Sequence, residues 1–198
     1  MKALLLIDIQ NDFMPGGALA VANGDEVISV VNQLMPQFEL IVATQDWHPA
    51  GHGSFAANHP GKNLFEQTEL DGLPQTLWPV HCVQNTHGAE FAPGLDAQHI
   101  TRVFTKGMNP RIDSYSGFFD NGHRASTGLA EWLRTQAVTH LTVAGVATDY
   151  CVKFTVLDAL AEGFTVEVAT AACRGVNLQA GDDEKAIQEM HARGAVIV

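Results

Sequence analysis

The chain has only three cysteines, little basic charge and no long apolar run, and each shortage excludes something. Three is an odd number, and the spacings are unrelated, so a disulfide framework is not expected; a reducing cytoplasm is the expected compartment. Lys and Arg number 11 against 22 Asp and Glu, a net charge of −11. That balance repels phosphate backbones and anionic lipid surfaces, which argues against nucleic acid and membrane partners. No stretch approaches the ~18–20 apolar residues of a spanning helix. The opening run Met1–Ile7 is cut short by Asp8 with no small-residue cleavage site after it, so it reads as a strand and not as a signal peptide. Repeats, low-complexity tracts and linkers are also missing.

What is present points to one domain over residues 1–198. Hydrophobic residues make up 46% and charged residues 17%, enough to fill a sizeable core. Short apolar runs rich in Val, Ile and Leu lie at Ala3–Ile7, Leu40–Thr44, Thr101–Thr105, Leu141–Gly145, Thr165–Ala169 and Ala195–Val198. Most carry these residues on both faces, as strands of a sheet covered on both sides should. Helical periodicity lies between them at Asp25–Gln37, Ser126–Gln136, Asp149–Glu162 and Asp182–Arg193. The alternation predicts an α/β three-layer sandwich on a mostly parallel sheet of about six strands. Two segments break the rhythm, Gln45–Ile100 and Gly107–Gly122, and irregular stretches of that length inside a compact domain are usually functional.

In an open parallel sheet, ligands bind beyond the carboxyl ends of the strands. Four predicted strands end next to ionisable groups: Asp8; Asp46 and His48; Lys106; and Asp149 with Cys151. Cys151 is the candidate nucleophile. It stands near a helix start that Thr148 or Asp149 would cap, where the partial positive charge favours thiolate, and Lys106 would add to that effect. Asp8 is placed to accept the thiol proton and to return it to a leaving amine. Amide groups at the helix start can hold an oxyanion. A Cys–His dyad is the rival arrangement, but His140 precedes its strand and belongs at the opposite edge. Cys82 and Cys173 read as buried and inert.

Nine histidines in an acidic chain direct attention to metal ligation. Asp46 and His48, two apart, point to one side of an extended chain, and His81 arrives from the far end of the long irregular segment. One carboxylate and two imidazoles leave positions open for water or substrate, suiting one divalent ion: zinc first, iron or manganese as alternatives. His52 is a possible fourth ligand. His59, His87, His99, His123 and His191 read as surface residues. Phe13, Trp78 and Tyr115 could sandwich a flat substrate, or simply pack.

Taken together, Asp8-Ile9-Gln10-Asn11-Asp12-Phe13, Asp46-Trp47-His48-Pro49, Trp78-Pro79-Val80-His81-Cys82-Val83, Lys106-Gly107, Asp113-Ser114-Tyr115-Ser116-Gly117-Phe118 and Gly145-Val146-Ala147-Thr148-Asp149-Tyr150-Cys151-Val152 resemble the nicotinamidase branch of the isochorismatase-like cysteine hydrolases. The resemblance implies hydrolysis of nicotinamide to nicotinate and ammonia in NAD salvage, with pyrazinamide as a second substrate. It implies Asp8, Lys106 and Cys151 as the catalytic triad and the amides of Ala147 and Cys151 as the oxyanion hole, beside a cis Val146–Ala147 peptide. It also implies Asp46, His48 and His81 as metal ligands that present the ion to the pyridine nitrogen, and Phe13, Trp78 and Tyr115 against the ring. Family members differ in the further protein ligand, which leaves His52 open. So is oligomeric state, monomer or homodimer. A carbamoyl- or ureido-amidase of the same fold would have no ring nitrogen to ligate, and a non-catalytic metal-binding module would have no use for the intact Asp–Lys–Cys set.

Overall fold

The computed structural model describes residues 1–198. Six strands form one parallel sheet: β1 (Lys2–Ile7), β2 (Ile41–Asp46), β5 (Arg102–Lys106), β6 (His140–Val146), β7 (Thr165–Arg174) and β8 (Val196–Ile197), in the order β5-β2-β1-β6-β7-β8. The apolar runs explain the layers. Side chains alternate across a strand, so a run apolar at every position buries both faces. Ala3, Leu5 and Ile7 of β1 enter one core, with Leu129 and Leu133 of α2 (Leu129–Thr135), Val156 of α3 (Lys153–Ala161) and Met190 of α4 (Asp182–Ala192). Leu4 and Leu6 enter the opposite core, with Val27 and Val31 of α1 (Glu26–Leu34). The predicted three-layer sandwich is therefore the fold.

Several boundaries differ from the sequence reading. The predicted helix Asp25–Gln37 ends as α-helix at Leu34 and continues as a 3₁₀ turn over Met35–Gln37, because Pro36 has no N–H to extend the ladder. The predicted strand at Leu40–Thr44 runs on to Asp46, and Thr101–Thr105 runs on to Lys106. Charged side chains end an apolar run but not the backbone pairing, which continues to the register pair Asp46↔Lys106. β7 is ten residues long and takes up a register shift against Val143 and Gly145 of β6. The predicted helix Asp149–Glu162 is a π-helical turn, Thr148–Val152, followed by α3. Within the long irregular segment, β3 (Gln67–Leu70) and β4 (Leu73–Thr76) pair as an antiparallel hairpin that periodicity did not reveal. No helix is long and apolar enough to cross a membrane.

The strand order positions the site. Successive strands step outward from β1 through β2 to β5, and the chain then returns to β6 on the other side of β1. The crevice between β1 and β6 is thus the switch point at which open α/β sheets bind ligands.

Candidate active site and metal centre

Lys106 is the hub of this crevice. It is fully buried, and its Nζ donates to Asp46 Oδ1 at 2.5 Å, to the Ser114 carbonyl at 2.9 Å and to Cys151 Sγ at 3.4 Å. Asp8 Oδ2 lies 2.9 Å from the same nitrogen. Asp8 is itself fully buried, and its Oδ1 accepts a 2.6 Å hydrogen bond from Thr44 Oγ1. Three strand ends and one helical turn therefore converge on a single ammonium group. Burial opposes charge on Lys106, but Asp46 and Asp8 outweigh it and hold the ammonium well above its usual pKa. Burial raises Asp8 against the pull of Lys106. Burial likewise opposes ionisation of Asp46, where Lys106 and His48 prevail and keep the carboxyl well below the usual range.

The helical turn carrying Cys151 differs from expectation in two ways. No side chain caps it; the Asp149 carboxylate instead accepts the backbone N–H groups of Val176 and Asn177, both at 2.8 Å. Nor does its position make the thiol acidic. Burial pushes Cys151 well above its usual value, Lys106 pulls the other way, and Asp8 and Asp46 add to the rise. Burial also raises Cys82 well above, and Cys173 to about 12. What separates Cys151 from the other two is its neighbours. The Val146–Ala147 peptide is cis, as the resemblance implies, and Ala147 lines the cavity beside Cys151. His140 is exposed at the start of β6, at the opposite edge.

Asp46, His48 and His81 meet on the other side of the Asp46 carboxylate. Asp46 Oδ2 is 3.6 Å from His48 Nε2 and 3.7 Å from His81 Nε2. Each imidazole is oriented from behind: His48 Nδ1 lies 2.8 Å from the Gly107 carbonyl, and His81 Nδ1 lies 2.8 Å from the Pro79 carbonyl. A carbonyl fixes the proton on Nδ1 and leaves the Nε2 lone pair free, which is the tautomer a metal ligand needs. The three ligand atoms lie within 4.8 Å of one another and all three residues are buried, so this set fits one divalent cation. His52 falls outside that trio. It groups with His48 and Asp113, its Nδ1 meets Ser54 Oγ at 2.7 Å, and burial lowers its pKa to about 4. Of the histidines expected at the surface, His87, His99, His123 and His191 are exposed; His59 is half-buried, its Nε2 2.7 Å from the Gly53 carbonyl.

Between thiol and cation site lies a small, mostly apolar cavity. Phe13, Trp78 and Tyr115 all line it. Trp78 Nε1 donates to Tyr115 Oη at 3.3 Å, and the Phe13 ring stands edge-on to His81 at 5.7 Å. Four further lining residues were not anticipated: Leu19, Asp113, Tyr150 and Val176. Tyr150 packs edge-on against Trp78 at 4.8 Å and lies 5.4 Å from Tyr115, which makes it part of the same aromatic wall. Its place next to Cys151 was the available signal. Val176 follows β7, another strand end, whereas Leu19 had no signal beyond being apolar in a loop.

The isochorismatase domain model matches residues 2–198. The chain belongs to the isochorismatase family. It is 54% identical to the nicotinamidase of Escherichia coli, over 99% of this chain and 93% of that one. An Acinetobacter baumanii nicotinamidase/pyrazinamidase structure superposes with a TM-score of 0.96 at 48% identity, covering 100% and 95% of the two chains. The pyrazinamidase of Pyrococcus horikoshii, solved in complex with zinc, superposes with a TM-score of 0.81 at 40% identity, covering 100% and 98%.

Proposed function

We propose that this protein hydrolyses nicotinamide to nicotinate and ammonia through a thioester on Cys151, serving NAD salvage in the cytoplasm, and that it accepts pyrazinamide as well. The observation that carries the reading is the Lys106 ammonium, which joins Asp8, the Cys151 sulfur and the cation-ready Asp46 within hydrogen-bonding distances. It links a nucleophile to a ring-anchoring site across one cavity. The named relatives support the substrate class.

In the resting protein the proton stays on sulfur, because burial raises the thiol. Asp8 takes that proton as the sulfur attacks the amide carbon, and Lys106 offsets the negative charge beside the forming C–S bond. The oxyanion is held by the Ala147 and Cys151 amides, as the resemblance implies. Asp8 returns the proton to the nitrogen, the C–N bond breaks and ammonia leaves. Asp8 then deprotonates a water that adds to the thioester; the C–S bond breaks, the proton returns to sulfur and nicotinate is released. Asp46, His48 and His81 would hold one divalent ion, for which zinc is our assignment. When bound, that ion supplies a Lewis-acidic partner for the pyridine nitrogen, which orients the ring. Phe13, Trp78 and Tyr115 pack on the ring faces and edges and exclude water. The protein acts on a small molecule as a monomer or homodimer, without nucleic acid or membrane.

A coupled ammonia assay with nicotinamide tests the reading. The native chain should release ammonia, and Cys151→Ala should release none while still binding nicotinamide by calorimetry. Undiminished turnover in Cys151→Ala would remove the nucleophile; no turnover by the native, metal-loaded chain would remove the function.

A further inference from the structure

Asp46 is held in place by a residue that the reaction does not use. β2 extends beyond its neighbour: β1–β2 pairing reaches Leu6↔Ala43, and Asp8, with φ 48°, turns the chain out of the sheet. On its other side Asp46 keeps the ladder partner Lys106. The exposed flank of the Asp46 backbone is covered by the side chain of Gln10. Gln10 Oε1 accepts the Asp46 N–H at 2.9 Å, and Gln10 Nε2 donates to the Asp46 carbonyl at 2.8 Å. The same Nε2 donates to the Ala89 carbonyl at 2.8 Å, and Gln10 is fully buried. One amide group thus does the work of a strand residue. Its oxygen meets the only N–H and its two hydrogens meet two carbonyls, so glutamine fits and glutamate or methionine does not.

We infer that Gln10 is a positioning residue for the divalent cation. By completing the ladder around Asp46, it keeps that carboxylate aimed between His48 Nε2 and His81 Nε2, and so sets the affinity for the ion. The inference rests on the metal reading above. Partners lying behind a ligand commonly change metal affinity by about 10–100-fold when removed, and a loss of that size is expected here.

Zinc affinity, measured by competition with a chromophoric chelator, is the direct readout. Gln10→Met keeps the length and removes all three hydrogen bonds. Gln10→Glu keeps the acceptor and adds a negative charge whose attraction alone would tighten cation binding. Gln45→Met is the control, because Gln45 Nε2 also donates to the Ala89 carbonyl, at 2.9 Å, without bonding to Asp46. Both Gln10 variants should bind zinc at least tenfold more weakly, with Gln45→Met within twofold of the native chain. Should Gln10→Met fail to fold by circular dichroism, Gln10→Glu decides. Native zinc binding with Gln10 variants unchanged or tighter overturns the inference alone, as does an equal loss in Gln45→Met. Absence of zinc binding by the native chain overturns the metal reading and this inference with it.

Discussion

Replacing Lys106 by Met removes one charge and keeps most of the stem, and the structure sets the size of the result. Nζ is the buried countercharge of both Asp8 and Asp46. Without it, two carboxylates and a thiol remain with ligand atoms within 4.8 Å of one another. Even at 4.8 Å, the upper limit of their separation, two carboxylate charges repel by about 3.5 kcal/mol at an effective dielectric of about 20. Leaving a buried charge without its partner costs about 3–5 kcal/mol in general. The chain relieves this by protonating Asp8, the carboxyl that burial already raises. Loss of that base costs about 10²–10⁴-fold in kcat. A second signature has a definite sign. A carboxyl whose folded pKa lies above its unfolded value favours the folded state while it is protonated, and that contribution is lost as pH rises through the folded pKa. In the native chain Lys106 pulls Asp8 back down and is itself raised, so its stabilisation persists throughout the range below the usual lysine pKa. Lys106→Met should therefore lose stability between pH 5 and pH 8 relative to the native chain. Urea unfolding at both pH values, in chelator so that no cation offsets Asp46, together with ammonia release, measures both effects. A variant with equal stability at the two pH values and kcat within tenfold of native would refute the reasoning.

Three further outcomes follow from the same geometry. Stripping the metal should raise KM for nicotinamide strongly, because the ring loses its anchor; an unchanged KM in a chelated sample verified metal-free would contradict this. The kcat/KM profile of the native chain should fall on the acid side at a pH above the 3.8 of an ordinary aspartate, since burial raises Asp8 and its protonation removes the base; a flat profile down to pH 4 would count against Asp8. Gly107→Ala should weaken zinc binding and destabilise the fold, because Gly107 has φ 68° and an added Cβ would collide with the His48 ring; zinc titration and thermal unfolding check it.

The residues at the strand ends were legible because apolar runs stop abruptly at Asp8, Lys106 and the Thr148–Cys151 segment, and a parallel sheet sends such ends to one edge. Local chemistry gave their types and suggested roles. Their acidities were not legible. A helix start beside an ammonium argued for thiolate at Cys151, but full burial and two nearby carboxylates outweigh both. The hairpin β3–β4 escaped notice because Gln67–Thr76 is short, half-exposed and mostly polar, so its pattern resembles a loop. Gln10 escaped because its partners are backbone groups 36 and 79 residues away.

The amino-acid order alone decided the layered fold, since a strand apolar on both faces is stable only between two cores, and it decided which side chains stand at the sheet's carboxyl edge. Tertiary structure alone decided that a single ammonium ties Asp8, Asp46 and Cys151 together, that burial raises the Cys151 thiol and that His52 stands outside the Asp46–His48–His81 trio. Distances of 3 Å and the field of buried charges depend on how distant segments settle against one another, and local sequence carries no record of that.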